Sequence, residues 1–131
     1  MTVDCRAVVE QFVAAFGEGR LRDALDLLHD DFIVHAAGDV PYSGDYVKAE
    51  GFTGLITRMT EMLDLVPSPD MQYLVDGDSV AIYYRLTFTG RGSGESVEMG
   101  VAEVFRVRDG LIAELDVYYK NPSAVTAILT E

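Results

Sequence analysis

One carboxyl side chain falls on a stretch of sequence whose alternate positions are otherwise apolar. Glu103 stands at one position of that series, and the other positions hold Val97, Met99, Val101, Phe105 and Val107. Because successive side chains of a β-strand point to opposite faces, the spacing predicts a carboxyl on a buried face. Burial would raise its pKa, so that Glu103 could donate a hydrogen bond to a carbonyl or enolate oxygen. The alternatives are a bulge that turns Glu103 outward, or an ion pair with an arginine such as Arg85.

A second carboxyl and a tyrosine lie on the last predicted strand. Asp116 and Tyr118 share one face of that strand with Ile112 and Glu114, and periodicity alone favours solvent for this face. A curved sheet can, however, direct one face of a strand to a pocket and the other to a subunit contact. Asp116 and Tyr118 therefore both remain candidate site residues.

Histidine could also contribute to a site. His35 ends the first predicted strand, just before a glycine-rich loop, and could titrate near the mouth of a cavity; a packed or solvated histidine is the alternative. His29, Asp30 and Asp31 are adjacent residues without the spacing of a metal site. We therefore predict no bound metal and no cofactor.

Helical periods occupy the first half of the chain. Val9, Phe12, Val13 and Phe16 recur at the spacing of one helix face, which predicts a helix from Asp4 to Phe16 that ends at Gly17 and Gly19. The same spacing predicts a shorter helix from Leu21 that stops near Asp30, and a third helix through the positions Phe52, Leu55, Ile56, Met59 and Leu63. A brief strand, from Phe32 to Ala36, lies between the second and third helices.

The second half changes to a strand period. Four segments rich in β-branched and aromatic residues predict strands at Met71–Val75, Ser79–Thr89, Glu95–Val107 and Leu111–Tyr119. Turn sequences such as Asp109-Gly110 separate them, so neighbouring strands should pair as antiparallel hairpins. Tyr83 and Tyr84 face opposite ways in such a strand, as do Tyr118 and Tyr119, so at most one of each pair can reach a pocket. Helices followed by a meander indicate the α+β class.

Size and charge limit the classes of function. The 131 residues fit one domain, and 22 acidic against 10 basic residues give a formal charge of −12. This charge would repel nucleic acid and anionic membranes, so neither is an expected partner. The sequence has no apolar run of about 20 residues and no secretion-signal pattern, and its single cysteine, Cys5, cannot form an intrachain disulfide. A cytoplasmic location is the expectation.

Several segments, in order, resemble a known family. The segment AVVEQFVAAF at residues 7–16 and the segment LLHDDF at residues 27–32 are similar to the opening of ketosteroid isomerases and SnoaL-like polyketide cyclases, which share the nuclear transport factor two-like superfold. The later segments PYSG (41–44), EVFRV (103–107) and VYY (117–119) extend the resemblance over nearly the whole chain. The resemblance implies a single SnoaL-like domain over residues 1–131. Its expected fold is a cone-shaped α+β barrel, in which three N-terminal helices wrap a strongly curved, mixed and mostly antiparallel sheet.

The resemblance also implies roles for individual residues. Ketosteroid isomerases carry a tyrosine, a general-base aspartate and an acid at positions that correspond to Phe12, Ala36 and Glu103, so only the acid is kept and their mechanism does not carry over. SnoaL-like cyclases place a base on the last strand, which corresponds to Asp116. The resemblance thus assigns Asp116 as base and Glu103 as hydrogen-bond donor, with His35 or Tyr118 as orienting groups. The expected ligand-binding residues are Phe12, Phe16, Ala36, Tyr46, Phe52, Met59, Val101 and Tyr118.

Three functional hypotheses remain open from the sequence. The first is an isomerase or cyclase that abstracts a proton next to a carbonyl of a hydrophobic, polyketide- or steroid-like molecule. The second is a non-catalytic module that binds a ligand or a second subunit, with a homodimer expected through the sheet face. The third is an enzyme like the related epoxide hydrolases, in which Arg85, Asp116 and Glu103 would form an Asp-Arg-Asp-like arrangement.

Overall fold

A computed structural model describes residues 4–129 of the chain. The first helix begins where Asp4 accepts a hydrogen bond from the backbone N–H of Ala7 (3.1 Å), which caps the helix N-terminus. It ends near Gly19, whose φ of 77° is one that glycine adopts readily. The elements in chain order are α1 Cys5–Gly17, α2 Leu21–Leu25, β1 Leu28–His35, β2 Asp45–Val47, α3 Lys48–Met62, β3 Leu63–Pro67, β4 Gln72–Asp76, β5 Ser79–Gly90, β6 Ser96–Arg108, β7 Leu111–Tyr119 and α4 Pro122–Ile128.

The main differences from the predicted elements lie in short segments. The second helix does not reach Asp30, because Leu28 already pairs with Ile112 at the start of β1. The short strand β2, the strand β3 and the C-terminal helix α4 were not predicted. β2 forms by pairing with β1, and β3 forms by pairing with β5. Such pairings depend on residues elsewhere in the chain and leave little local signal in the sequence.

The strands form one curved, mixed sheet, as the resemblance implies. Its order is β2-β1-β7-β6-β5-β3, with β4 also paired to β5, and β1 runs parallel to β7 whereas the other pairs are antiparallel. The β6–β7 hairpin turns at Asp109 and Gly110, whose φ values of 57° and 77° suit a tight two-residue hairpin turn. The α+β fold class is confirmed, with α4 as an addition to the three expected N-terminal helices.

The concave face of the sheet and the helices α1 and α3 enclose the core. Alternate residues of β5 from Val80 to Phe88 are buried on this face, and Phe105 of β6 is 0% exposed. At the β6–β7 hairpin the register shifts between Arg106 and Val107, so that Ile112 rather than Ala113 faces the core. No helix within residues 4–129 is long and apolar enough to cross a membrane.

Candidate functional site

A cavity of about 370 Å³ lies between the concave face of the sheet and the helices α1 and α3. Its volume falls within the range of small-molecule sites, which is roughly 300–1,000 Å³. Most of its wall is apolar, and Phe16, which is 40% exposed, also lies on it. The residues that line it include Phe12, Phe16, Ala36, Tyr42, Phe52, Met59, Ile82, Tyr84, Glu103, Val117 and Tyr119.

Three phenylalanines form the helical wall of the cavity. The ring of Phe12 lies 5.7 Å from that of Phe52 and 6.4 Å from that of Phe16, and the rings of Phe16 and Phe52 are 5.9 Å apart. These centroid distances are those of favourable aromatic pairs. Phe12, Phe16 and Phe52 thus present a rigid apolar surface to any molecule in the cavity.

Glu103 provides the carboxyl group of the cavity. β6 places it on the concave face opposite Ile82, and its Oε2 accepts a hydrogen bond from the hydroxyl of Tyr84 at 2.8 Å. Burial raises the pKa of Glu103, while the Tyr84 hydrogen bond lowers it by a smaller amount. The alternative, an ion pair with Arg85, is not formed, because Arg85 lies on the outer face and pairs with Glu98 at 3.2 Å. Glu103 is thus a desolvated acid in a mostly apolar wall.

Tyrosine hydroxyls supply the other polar groups. Tyr84 and Tyr119 line the cavity, whereas Tyr83 and Tyr118 are exposed, as strand alternation predicts. The hydroxyl of Tyr119 lies 2.8 Å from that of Tyr42, which comes from the loop after β1. Burial raises the pKa of Tyr42 to about 12 and raises the pKa of Tyr84 and Tyr119 as well. All three phenols are therefore neutral hydrogen-bonding groups at neutral pH.

The prediction that Asp116 shares the cavity with Glu103 is wrong. Glu103 pairs with Val117 across the sheet, so Val117 faces the cavity and its neighbour Asp116 points to the outer face. There Asp116 accepts a hydrogen bond from the exposed Tyr118 at 2.6 Å, so Tyr118 does not contact a cavity ligand either. Arg85 and Asp116 both lie on the face opposite Glu103, and the arrangement expected for an epoxide hydrolase is not formed.

His35 also lies outside the cavity, contrary to expectation, although the next residue, Ala36, lines it. Its Nδ1 lies 2.7 Å from a carboxylate oxygen of Asp45, and its Nε2 lies 2.9 Å from one of Glu114. Arg106 in turn pairs with the second oxygen of Glu114 at 3.3 Å. His35 therefore links the end of β1 to β2 and β7. The hydrogen bond to Asp45 is the main cause that raises the pKa of His35 above 6.5, and Glu114 contributes further.

We expect the His35 links to make stability depend on pH. Because the pKa of His35 is raised in the folded state above 6.5, its contribution is fully present below pH 6.5 and is lost as the pH rises through the raised value. In His35→Gln, urea denaturation should show a loss on the order of 1 kcal/mol at pH 5.5 and a smaller loss at pH 9. Asp45→Asn should reduce the same pH dependence. A pH-independent difference between the wild type and His35→Gln would contradict the assignment.

The remaining predicted ligand-binding residues separate into two groups. Phe12, Phe16, Ala36, Phe52 and Met59 line the cavity, whereas Val101 and Tyr46 do not. Val101 is 1% exposed and lies opposite both Tyr84 and Tyr119 in the sheet, between these larger side chains. Tyr46 instead donates a hydrogen bond to the carbonyl of Tyr42 (2.8 Å) and so supports the loop.

Sequence reasoning did not identify Tyr42, Tyr84 or Tyr119 as site residues. The strand period carried a signal for two of them, because Tyr84 and Tyr119 follow the alternation of Ile82 and Val117. Tyr42 is in a loop without a regular period. Among the residues that the structure describes, no group of three or more His, Cys, Asp or Glu side chains is arranged to hold a metal ion.

Fold and cavity together define a class of protein: a cone-like α+β barrel with a mainly apolar pocket that contains, within residues 4–129, the carboxyl group of Glu103. The family model of the SnoaL-like domain matches residues 9–115, and the chain belongs to this family. No curated protein matches the chain in sequence.

Solved structures show the same fold at low sequence identity. An NTF2-like protein from Burkholderia xenovorans is 18% identical with a TM-score of 0.86, and the match covers 100% of this chain and 99% of that one. A candidate polyketide cyclase from Xanthomonas campestris is 19% identical with a TM-score of 0.81 over 96% of each chain. TerC, co-crystallised with polyporic acid, is 15% identical with a TM-score of 0.82 over 95% of this chain and 97% of its own. These likenesses establish the NTF2-like fold.

Proposed function

We propose that this chain binds a small, mostly apolar carbonyl compound in the cavity and moves a proton next to its carbonyl, as an isomerase or cyclase. The observation that carries the proposal is the desolvated carboxyl of Glu103 on an apolar cavity wall. Burying a carboxyl costs stability, so its placement beside space for a ligand favours a functional role. Fold neighbours named as candidate polyketide cyclases support the same reaction class.

Glu103 is the acid–base group of the proposed reaction. As a carboxylate it takes a proton from the carbon next to the carbonyl, and the electrons of the broken C–H bond form the enolate. The protonated Glu103 then returns the proton to another atom of the same molecule, so the carboxylate is regenerated. A raised pKa suits this role, because a stronger base accepts a carbon-bound proton more readily and transfer is most efficient near the working pH. The bond from Tyr84 holds the carboxyl in place.

Passive binding is the alternative function, and it predicts a different observation. A cone filled by side chains, with Glu103 in an ion pair, would favour a module without chemistry. Instead, a cavity of about 370 Å³ is open to a ligand, and the hydrogen-bond partner of Glu103 is the neutral Tyr84. These two features argue against a filled cone, and proton exchange separates the enzyme from a module that holds its ligand passively.

Hydrogen exchange next to a carbonyl tests the proposal directly. The probe is 2-tetralone, an apolar bicyclic ketone, incubated with the protein in D₂O while NMR follows loss of the α-hydrogen signals and calorimetry follows binding. Binding with exchange faster than in buffer supports the enzyme. Binding without faster exchange would instead support the passive module, and absence of binding would contradict the ketone site.

We further propose that the outer face of the sheet forms a homodimer. Large apolar or aromatic side chains are exposed on this face: Val66 64%, Leu74 58%, Tyr118 54% and Tyr83 45%. Exposed apolar surface of this kind is typical of protein contacts.

Light scattering should therefore give the mass of two chains. The substitution Tyr83→Glu, at the centre of the face, should shift the mass toward one chain, because a charge would be buried without a partner. Thr57→Glu adds the same charge on α3, away from the outer face, and should leave the mass unchanged. A wild-type mass of a single chain would exclude the dimer.

A further inference from the structure

Tyr42 and Tyr119 form a second polar pair in the cavity that the proton transfer does not use. Tyr119 is the last residue of β7, and Tyr42 is 0% exposed in the loop after β1. Their hydroxyl oxygens lie 2.8 Å apart, and both residues line the cavity. The pair lies on the same wall as Glu103, because Glu103 pairs with Val117 and Tyr119 is two residues further along that strand. Diagonal neighbours of this kind lie within reach of each other's long side chains.

Burial decides which hydroxyl donates within the pair. Tyr119 is the hydrogen-bond partner of the Tyr42 hydroxyl among residues 4–129, and Tyr42 is fully buried. If Tyr119 donated, the proton of Tyr42 would be buried without an acceptor, which costs about 1–3 kcal/mol. The direction in which Tyr42 donates and Tyr119 accepts leaves no hydroxyl proton buried without an acceptor. The proton of Tyr119, which keeps partial exposure, is then free to point into the cavity.

The loop that carries Tyr42 is fixed from several sides. Arg58 of α3 donates to the carbonyl of Pro41 at 2.9 Å, and Tyr46 donates to the carbonyl of Tyr42 at 2.8 Å. Thr126 of α4 donates to the carbonyl of Asp39 at 2.6 Å. Tyr42 is thus held before a ligand arrives, and a donor that is already oriented binds at a lower entropic cost.

We propose that Tyr119 donates a hydrogen bond to the ligand and is positioned by Tyr42, and that the ligand carries two oxygen acceptors at one end of an apolar body. The inference rests on the proposed function, because Glu103 takes its proton from the carbon next to the first carbonyl group, and this carbonyl therefore lies near Glu103. Tyr119 then contacts the second oxygen and selects dioxygenated compounds over simple ketones. Tyr42 acts through Tyr119 and is a positioning residue.

A matched pair of probes tests this specificity. Benzoylacetone and butyrophenone share the same carbon skeleton, but benzoylacetone has a second oxygen. Calorimetry at pH 6.5 measures both affinities for the wild type, Tyr119→Phe and Tyr42→Phe. Tyr119→Phe should weaken benzoylacetone by roughly 3- to 10-fold, the range of one neutral hydrogen bond, and change butyrophenone by less than about 2-fold. Tyr42→Phe should give a smaller loss that is again confined to benzoylacetone.

The ratio of the two affinities separates a ligand contact from a structural effect, because partial unfolding weakens both probes equally. Tyr118→Phe is the matched control: its hydroxyl bonds to Asp116 on the outer face, and both affinities should stay unchanged. An equal loss for both probes, or no loss for either, in Tyr119→Phe would overturn the inference while leaving the proposed function intact. If neither probe binds the wild type, the proposed function fails and the inference fails with it.

Discussion

Glu103→Gln is expected to lower the rate of α-hydrogen exchange in 2-tetralone by at least about 100-fold, the lower limit for loss of a general base. Glutamine has nearly the same shape, and its amide oxygen can still accept the hydrogen bond that Tyr84 donates at 2.8 Å. The fold and the apolar contacts with the ketone should therefore persist. NMR of the exchange and calorimetry of binding, on the same samples, would separate loss of chemistry from loss of affinity.

The pH dependence of the same reaction follows from the burial of Glu103. Its pKa is raised above 4.5, so the base form appears only as the pH climbs through that raised value, and exchange should increase over this range. Stability should change in the opposite direction. An acid with a raised pKa in the folded state stabilises the fold fully below pH 4.5, and this contribution is lost as the pH rises through the raised value. Glu103→Gln should therefore become more stable than the wild type at high pH.

Glu98→Gln is the matched control for Glu103→Gln. Glu98 lies on the same strand, but on the outer face, where it pairs with Arg85 at 3.2 Å. Its substitution removes one carboxylate from β6 without altering the cavity, and exchange should continue at the wild-type rate. Equal losses in both variants would show that exchange does not depend on the cavity carboxyl and would remove Glu103 as the base.

The cavity carboxyl could be predicted from the sequence because strand alternation is a local property. The position of Glu103 among apolar neighbours of the strand Ser96–Arg108 predicts that it lies on the buried face. A bulge was the alternative, and the regular pairing of this strand with β5 around Glu103 excludes it there. The same rule predicted that Tyr83 and Tyr84 face opposite ways. Which of them reaches the cavity depends on the register with β6, and the register is a long-range property.

The role that the family resemblance assigned to Asp116 does not fit the position of its side chain. The period of β7 on its own favoured solvent for Asp116, whereas correspondence with a family position assigned it as the base. Glu103 pairs with Val117, so Val117 shares its face and the neighbouring Asp116 lies on the opposite face, as the period of β7 predicts. A shift of one residue in a strand exchanges its two faces. An approximate alignment can err by one residue, and in a strand that error is enough to move a carboxyl out of a site.

Tyr42 could not be predicted because its position depends on contacts far away in the chain. Its loop is fixed by Arg58 and Thr126, which lie on α3 and α4, and helix α4 itself was not predicted. A loop without a period has no local pattern that gives the direction of its side chains. The contribution of Tyr42 to the polar end of the cavity could therefore be identified only from the structure.

Phe52→Ala is expected to have the largest effect on stability, about 3–5 kcal/mol in urea denaturation, because a large ring is removed from the core. Phe52 is 4% exposed and its ring lies 5.9 Å from that of Phe32 at 86°, in addition to its contacts with Phe12 and Phe16. Because the ring also borders the cavity, its loss should enlarge the cavity and weaken ketone binding.

Phe16→Ala separates the stability role of this aromatic wall from its role in binding. Phe16 contacts the rings of Phe12 and Phe52 but is 40% exposed. Its removal therefore exposes less apolar surface and leaves a smaller cavity than removal of a buried ring. We expect Phe16→Ala to lower the free energy of unfolding by about 1 kcal/mol. Both variants remove cavity wall and should weaken 2-tetralone, but only Phe52→Ala should strongly lower the urea midpoint. Equal destabilisation by the two substitutions would contradict this separation. It would mean that the exposed ring of Phe16 contributes as much to the stability of the fold as the buried ring of Phe52.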